Sequence, residues 1–375
     1  MSTILIKNGT LIDGSGSKRY LADILIENEK IKKIGKLDLT ADKVIDASGK
    51  IVSPGFIDTH SHSDLKVLIE PFVEPKIRQG ITTEILGQDG ISMAPLPEEY
   101  VSSWRKNLAG LDGDSDELKW DWKNTDGYLN LISKTGSGPN ELYLVPHGNI
   151  RMEAMGLEAR VATKEELEKM KEITRREMEA GVAGLSTGLI YIPCAYAETE
   201  ELIEICKVAA EYGRPLVIHQ RSEADTMLES MQEVIRIAKE SGVKIHFSHF
   251  KICGQKNWKL IEPVIALLDK CKEEGINVSY DQYPYVAGST MLGVILPPWA
   301  HAGGTDKLIE RLKDKSLREK MKKDIIEGIP GWDNFIDFAG FDGIYVTSVK
   351  TDKNQDCIGK NLTEITELRG KEKFD

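Results

Sequence analysis

The sequence predicts an α/β protein. A small β-rich N-terminal piece precedes a parallel TIM-like (β/α)8 barrel whose last strand is not found in the chain. Three observations lead there. Seven short apolar runs each end in polar residues: 54–62, 81–89, 142–148, 181–189, 215–220, 244–250 and 276–284. Helical patterns lie between several of them, and alternating strands and helices with buried strands imply parallel βαβ units. The first 53 residues have a different grammar of β-branched residues and turns. A doubly wound sheet is the alternative, but no GxGxxG opens a helix after the first strand.

Residues 1–53 form the first region. ILIKNGTLID and ADILIENEKIKKIG carry partial alternation. Asn8-Gly9 is a hairpin-type turn signal and Asn28-Glu29-Lys30 a second, so a small antiparallel sheet is expected. Residues 54–289 hold barrel strands one to seven. Among their helices, 200–213 places Leu202, Ile205, Cys206 and Ala209 on one face. Gly181, Gly213 and Gly242 stand where helices should stop. Residues 290–375 break the rhythm. Pro297, Pro298, Gly303 and Gly304 mark a loop, a charged helix is expected over 305–326, and GIYVTSVK (343–350) reads as a short strand.

Composition narrows the function. The 375 residues carry 49 Lys and Arg against 60 Asp and Glu, a net charge of −11. That excess of acid argues against a binder of nucleic-acid backbones. No apolar run approaches the roughly 20 residues of a membrane span, so no membrane partner is expected. MSTILIKNGT lacks a basic leader segment. The five cysteines form no CxxC pair, which fits a reducing cytoplasm.

The strongest chemical signal is His60-Ser61-His62 after the run PGFID. Residues two apart on a strand share a face, so both imidazoles can converge on one metal ion. The C-terminal end of a strand is also where barrel active sites lie. His219 ends PLVIHQ and His249 ends KIHFSHF, which gives four histidines on strands one, five and six. His246, three residues before His249, should face the other way. His147 also ends a strand-like run and is a candidate to line the site. His301 lies in the loop insertion. A hydrolytic metal centre also wants an anionic ligand, and Asp58, Asp89 and Asp281 end strands. Asp89 lies in GQDGIS beside the HxH strand, with Gly87 and Gly90 to let the backbone turn. Asp281 is alternatively a partner of a histidine. Lys251, two residues past His249, can face the same side as that ring and pair with a substrate carboxylate. Tyr191 offers a phenolic donor. Tyr283, Tyr285 and Ser289 are candidates to shape a side-chain pocket. No base is placed beside Cys194 or Cys253, which argues against thiol chemistry.

Several ordered stretches, SPGFIDTHSHSD, GITTEILGQDGISMAPL, GLSTGLIYIPCAYA, HFSHFKICG and YDQYPYVAGST, resemble the N-acyl-D-amino-acid deacylases (D-aminoacylases) of the amidohydrolase superfamily. The resemblance runs from about residue 4 to about residue 370. It implies a β-sandwich plus metal-dependent barrel that hydrolyses N-acyl-D-amino acids, a small-molecule substrate. It implies His60, His62, Asp89, His219 and His249 as ligands of one or two divalent ions, zinc foremost, and Lys251 and Tyr191 as binders of the substrate carboxylate. Two departures stand out. The family typically has a cysteine at the place of Asp89; a carboxylate is a harder ligand and lessens the preference for zinc over manganese or cobalt. The family's proton-transferring aspartate belongs to an eighth strand that would follow residue 375, so no catalytic base is assigned within the chain. Either the sequence is the front part of a longer protein, or it is an open barrel without its base, which a second polypeptide could complete. Cyclic amidases of the dihydroorotase type and isoaspartyl dipeptidases are alternatives, but those use a carboxylated lysine on strand four, where this chain reads GVAGLSTGL. A chain that binds metal without turnover is the remaining alternative.

Overall fold

A computed structural model describes residues 2–375. The chain divides into two compact units: residues up to Ile57 with Gly80–Thr82, and Asp58–Gln79 with Thr83–Asp375.

The first unit holds β1 (Thr3–Leu11), β2 (Tyr20–Glu27), β3 (Lys30–Gly35), β4 (Lys43–Asp46) and β5 (Ile51–Val52). The sheet runs β3-β2-β1-β4, with β5 also on β1. It is mixed, not antiparallel as the sequence led us to expect: β1, β2 and β3 are antiparallel, but β4 and β5 run parallel to β1. The reason is the link after β3, which carries the chain past the hairpin before β4 pairs. Buried Asp23 ties that link down by accepting from Leu37 N (2.9 Å) and Asn8 N (2.8 Å). Asn28 and Glu29, both at positive φ, make the expected tight turn between β2 and β3. Asn8-Gly9 is instead a bulge inside β1, where the register to β2 shifts. A Cβ on Gly9 would stand 2.6 Å from Val52 Cγ2, so only glycine fits.

The second sheet takes seven strands in sequence order: β6 (Phe56–Asp58), β7 (Ile81–Leu86), β8 (Asn140–Pro146), β9 (Gly184–Gly188), β10 (Leu216–His219), β11 (Ile245–Phe247) and β12 (Val278–Tyr280). The registered pairs from β7 to β12 are all parallel. Six of the seven fall within the predicted runs, and β8 starts two residues ahead of its run. The fold is that of the predicted α/β barrel class, a run of parallel strands wrapped by helices.

Burial explains the order. Leu86, Val145, Leu185, Leu216, Ile218 and Phe247 are buried in the sheet. The helix Thr199–Glu211 buries Leu202, Ile205, Cys206 and Ala209, each fully, on the face its spacing predicted. Burying a leucine or isoleucine contributes about 1.5–3 kcal/mol. The helix Lys164–Glu179 opens on a Thr163–Glu166 capping box. Gly242, at φ +74°, closes the helix Met227–Ser241. No helix among the described residues is long and apolar enough to cross a membrane.

The last 86 residues correct two expectations. The charged helix over 305–326 is two helices, Thr305–Lys313 and Lys315–Glu327. Asp314 breaks it because its carboxylate caps the second helix, accepting from Ser316 N (2.8 Å) and Leu317 N (3.0 Å). GIYVTSVK finds no strand to join and makes only an isolated bridge, Tyr345 to Asn361.

Candidate metal centre

His60 and His62 lie in the turn after β6, not on the strand, so strand alternation is not what makes them converge. The turn is pinned instead. Ser61 N donates to Ile85 O (3.3 Å), and buried Ser61 Oγ donates to Glu84 Oε2 (2.5 Å). The flanking imidazoles then reach Asp89, with Nε2 of His60 at 3.6 Å and of His62 at 3.3 Å from Oδ2. Asp64 joins this turn to the next one, because its Oδ1 accepts from Gly87 N (2.8 Å) and from Ser92 Oγ.

Asp89 is buried and adopts a left-handed φ of +56° between Gly87 and Gly90. Both glycines are required. A Cβ on Gly87 would meet Leu144 O at 2.1 Å, and one on Gly90 would meet Thr187 Cα at 2.7 Å. His219 ends β10. His249 lies two residues past β11, at φ +34°, held by its N–H to Asp281 Oδ1 (2.6 Å). His249 Nε2 stands 3.6 Å from Asp89 Oδ1 and 2.8 Å from His219 Nδ1. The structure therefore brings His60, His62, Asp89, His219 and His249 into one cluster.

This donor set fits a divalent transition ion. His60, His62 and Asp89 each offer a ligand atom within 4.8 Å of the others, as do Asp89, His219 and His249. His60 Nδ1, His62 Nδ1 and Asp89 Oδ1 are buried without a hydrogen-bond partner. Burial works against the Asp89 charge, but His60 and the hydrogen bonds of the three surrounding imidazoles hold its carboxyl well below the usual range. Burial lowers His219 to about 3, which keeps it a neutral donor.

Asp58 and Asp281 do not enter the cluster. Asp58 pairs with Lys76, and Asp281 receives His246 Nε2 at 2.8 Å. His246, expected to face away and be inert, thus buttresses the aspartate that holds His249. His147 does not line the site. It is wholly buried in a separate network, with Nε2 at 2.8 Å from Glu201 Oε1 and Nδ1 at 2.9 Å from Thr187 Oγ1. His301 bonds Gly293 O in the loop.

Lys251 lies beside the cluster, its Nζ 2.6 Å from Glu223 Oε2 and 2.9 Å from His249 Nδ1. Burial opposes its charge, but Glu223 overcomes this and raises its pKa. Tyr191 is buried, its ring 5.5 Å from His219 and its hydroxyl 2.9 Å from Thr290 Oγ1. Tyr283 lies under Lys251, with Nζ 5.5 Å from the ring centroid. Ser289 is exposed on the same loop.

Two carboxylates escaped the sequence reading. Glu223 Oε1 stands 3.0 Å from His249 Nδ1, and Asp112 Oδ1 stands 3.4 Å from His62 Nδ1. Glu223 had a usable signal, four residues past a strand-ending histidine. Asp112, in GLDGD, had none.

Residues 43–264 match the Amidohydrolase family. The chain is 36% identical over 290 residues to a D-aminoacylase of Alcaligenes xylosoxydans xylosoxydans, covering 77% of this chain and 58% of that protein. An N-acyl-D-glutamate deacylase of the same organism matches at the same identity and coverage. This chain thus spans little more than half the length of those relatives. Among solved structures, N-acyl-D-glutamate deacylase from Bordetella bronchiseptica, complexed with zinc and a phosphonate inhibitor, superposes with a TM-score of 0.80 at 31% identity, over 99% of this chain and 68% of that one. A D-aminoacylase structure gives a TM-score of 0.77 at 30% identity with the same coverage.

Proposed function

Since the chain belongs to the amidohydrolase family, with D-aminoacylase and N-acyl-D-glutamate deacylase among its homologues, we propose that it carries the metal-binding part of an enzyme hydrolysing N-acyl-D-amino acids to a carboxylic acid and a free D-amino acid. One observation carries this reading: three imidazole Nε2 atoms surround the Asp89 carboxylate at 3.3–3.6 Å, with His219 behind them. His60, His62, Asp89, His219 and His249 would hold one or two divalent ions, zinc or, given the carboxylate, manganese or cobalt. When bound, such an ion supplies Lewis acidity toward the scissile carbonyl and acidifies water.

The remaining work belongs to side chains. Lys251, beside Glu223 and Tyr283 at the edge of the cluster, would take the substrate carboxylate, and Tyr191 would donate to it. Tyr283 and Ser289 line the approach. No group among residues 2–375 is assigned the transfer of a proton from water to the leaving amine. The free cysteines support a cytoplasmic setting. A cyclic-amidase reading is weaker, since β9 reads GLSTG without the lysine such enzymes carboxylate.

The test is a substrate panel on the full-length protein from its source. N-acetyl-D-amino acids should be hydrolysed and their L-enantiomers not, with activity lost to a chelator and restored by zinc. The 375-residue chain alone should bind metal and turn over little. Hydrolysis of dihydroorotate or hydantoins, with N-acetyl-D-amino acids left intact, would overturn the reading.

A further inference from the structure

The three imidazoles that aim Nε2 at Asp89 each turn Nδ1 toward a different carboxylate. His60 faces Asp281 at 4.0 Å, His62 faces Asp112 at 3.4 Å and His249 faces Glu223 at 3.0 Å. Two of these carboxylates have other partners. Asp281 also receives His246 and the His249 N–H, and Glu223 pairs with Lys251. Asp112 has none. Its side chain is wholly buried, and neither oxygen has a hydrogen-bond partner. Its neighbour in the cluster with His62 is a second carboxylate, Asp64, already engaged by Gly87 and Ser92.

A buried carboxylate without hydrogen bonds is costly, and a second acid beside it adds to the cost. Yet the surrounding structure fixes this one in place. Asp112 N donates to Leu108 O (2.9 Å) at the end of the helix Val101–Leu108. That helix is anchored by Trp104 Nε1 to Ser92 O (2.7 Å). The fold thus delivers an otherwise unfavourable group to the outer nitrogen of His62.

We propose that Asp112 is a positioning residue for the metal centre: it accepts the Nδ1–H of His62 and so fixes the tautomer and ring orientation that present the Nε2 lone pair to an ion shared with Asp89. The inference rests on the metal-site reading above. It extends to Asp112 the rule that a ligating histidine is set by the acceptor at its other nitrogen.

The experiment compares wild type, Asp112→Asn, Asp112→Glu and, as a control in the same loop, Asp114→Asn. Zinc affinity and stoichiometry are measured by competition with a chromophoric chelator, the visible spectrum is recorded with cobalt, and melting is followed for the apo-protein. In wild type, zinc should bind. In Asp112→Asn, affinity should fall about 10–100-fold at unchanged stoichiometry, with an altered cobalt spectrum and an apo-protein no less stable than wild type. Asp112→Glu should recover part of the affinity, and Asp114→Asn should match wild type. Unchanged affinity and spectrum in Asp112→Asn would overturn the proposal and leave Asp112 a purely structural group. Loss of one bound ion, with the affinity of the rest unchanged, would overturn it differently, making Asp112 a ligand of a separate cation with His62 and Asp64. Wild type that binds no zinc or cobalt would remove the metal-site reading itself, and the proposal with it.

Discussion

Truncating Glu201 should cost this fold several kcal/mol. Its carboxylate sits in the interior between His147 Nε2, 2.8 Å from Oε1, and the Arg151 guanidinium on Oε2. Arg151 and His147 are fully buried, and Glu201 is 4% exposed. Besides Glu201, the guanidinium reaches Arg160 O through Nη2 (2.9 Å), and its Nε has no partner. Replacing Glu201 by alanine therefore strands a buried positive charge. Breaking one side of such a pair costs about 3–5 kcal/mol, and Arg151→Met should fall at the lower end of that range because Glu201 keeps His147 Nε2 as a partner. Independent losses would sum to about 6–10 kcal/mol, whereas removing both charges together leaves chiefly His147 Nε2 and Arg160 O unpaired, at about 1–3 kcal/mol each. The double variant Arg151→Met/Glu201→Ala should thus be more stable than the sum of the singles by several kcal/mol. Urea unfolding followed by tryptophan fluorescence, compared at matched slope, measures this. A double variant as unstable as the summed singles, or a Glu201→Ala cost below about 1 kcal/mol, would refute the description of this network as a buried, mutually dependent ion pair.

Three further outcomes follow from the same structure. Burial works against a charge on His147, but the neighbouring Cys194 thiol and the Glu201 carboxylate lift it to about 9, above its unfolded value of 6.5. Its contribution to stability is therefore whole below pH 6.5 and lost as pH rises through 9, so urea midpoints should fall across that window, and fall less in His147→Gln. Gly90→Ala places a Cβ 2.7 Å from Thr187 Cα and 2.8 Å from Cys194 Sγ at φ +71°, so thermal and urea unfolding should report a loss of about 2–4 kcal/mol, together with weakened metal binding as Asp89 shifts. Asp89→Cys should move the zinc-to-manganese affinity ratio toward zinc in a competition assay. An unchanged ratio would take Asp89 out of the ligand set.

What the sequence made legible was local. Each strand of the second sheet was visible because its apolar run stops at polar residues, as in PLVIHQ, where Leu216 and Ile218 are buried and His219 ends β10. The helical face of Leu202, Ile205, Cys206 and Ala209 was visible because its apolar residues recur at helical spacing. The histidine cluster was visible as residue types at strand ends, but the means of convergence was not. His60, His62 and His249 all lie past their strands, in turns set by partners distant in sequence such as Glu84 and Asp281. Asp112 was illegible because its position depends on the helix Val101–Leu108 packing through Trp104 onto Ser92. His147 misled because a polar ring at a strand end can satisfy itself inward as readily as toward a site. In the first unit, Asn8-Gly9 carries the residues of a turn but serves a bulge, a choice that the approach of Val52 to Gly9 dictates.

Asp89 and His249 share a trait that reaches beyond this one chain. Both are non-glycine residues at positive φ, +56° and +34°, where a side chain is tolerated only against the backbone's own preference. Asparagine or glycine would sit there with less strain. Mutation without selection for a metal should therefore drift these two positions toward glycine or asparagine sooner than it erodes His60 or His62, which are not at positive φ. Across descendants of this gene, the residues at 89 and 249 would then work as a clock of use: a lineage that has stopped needing the ion should show it there first, while its HxH still reads as intact.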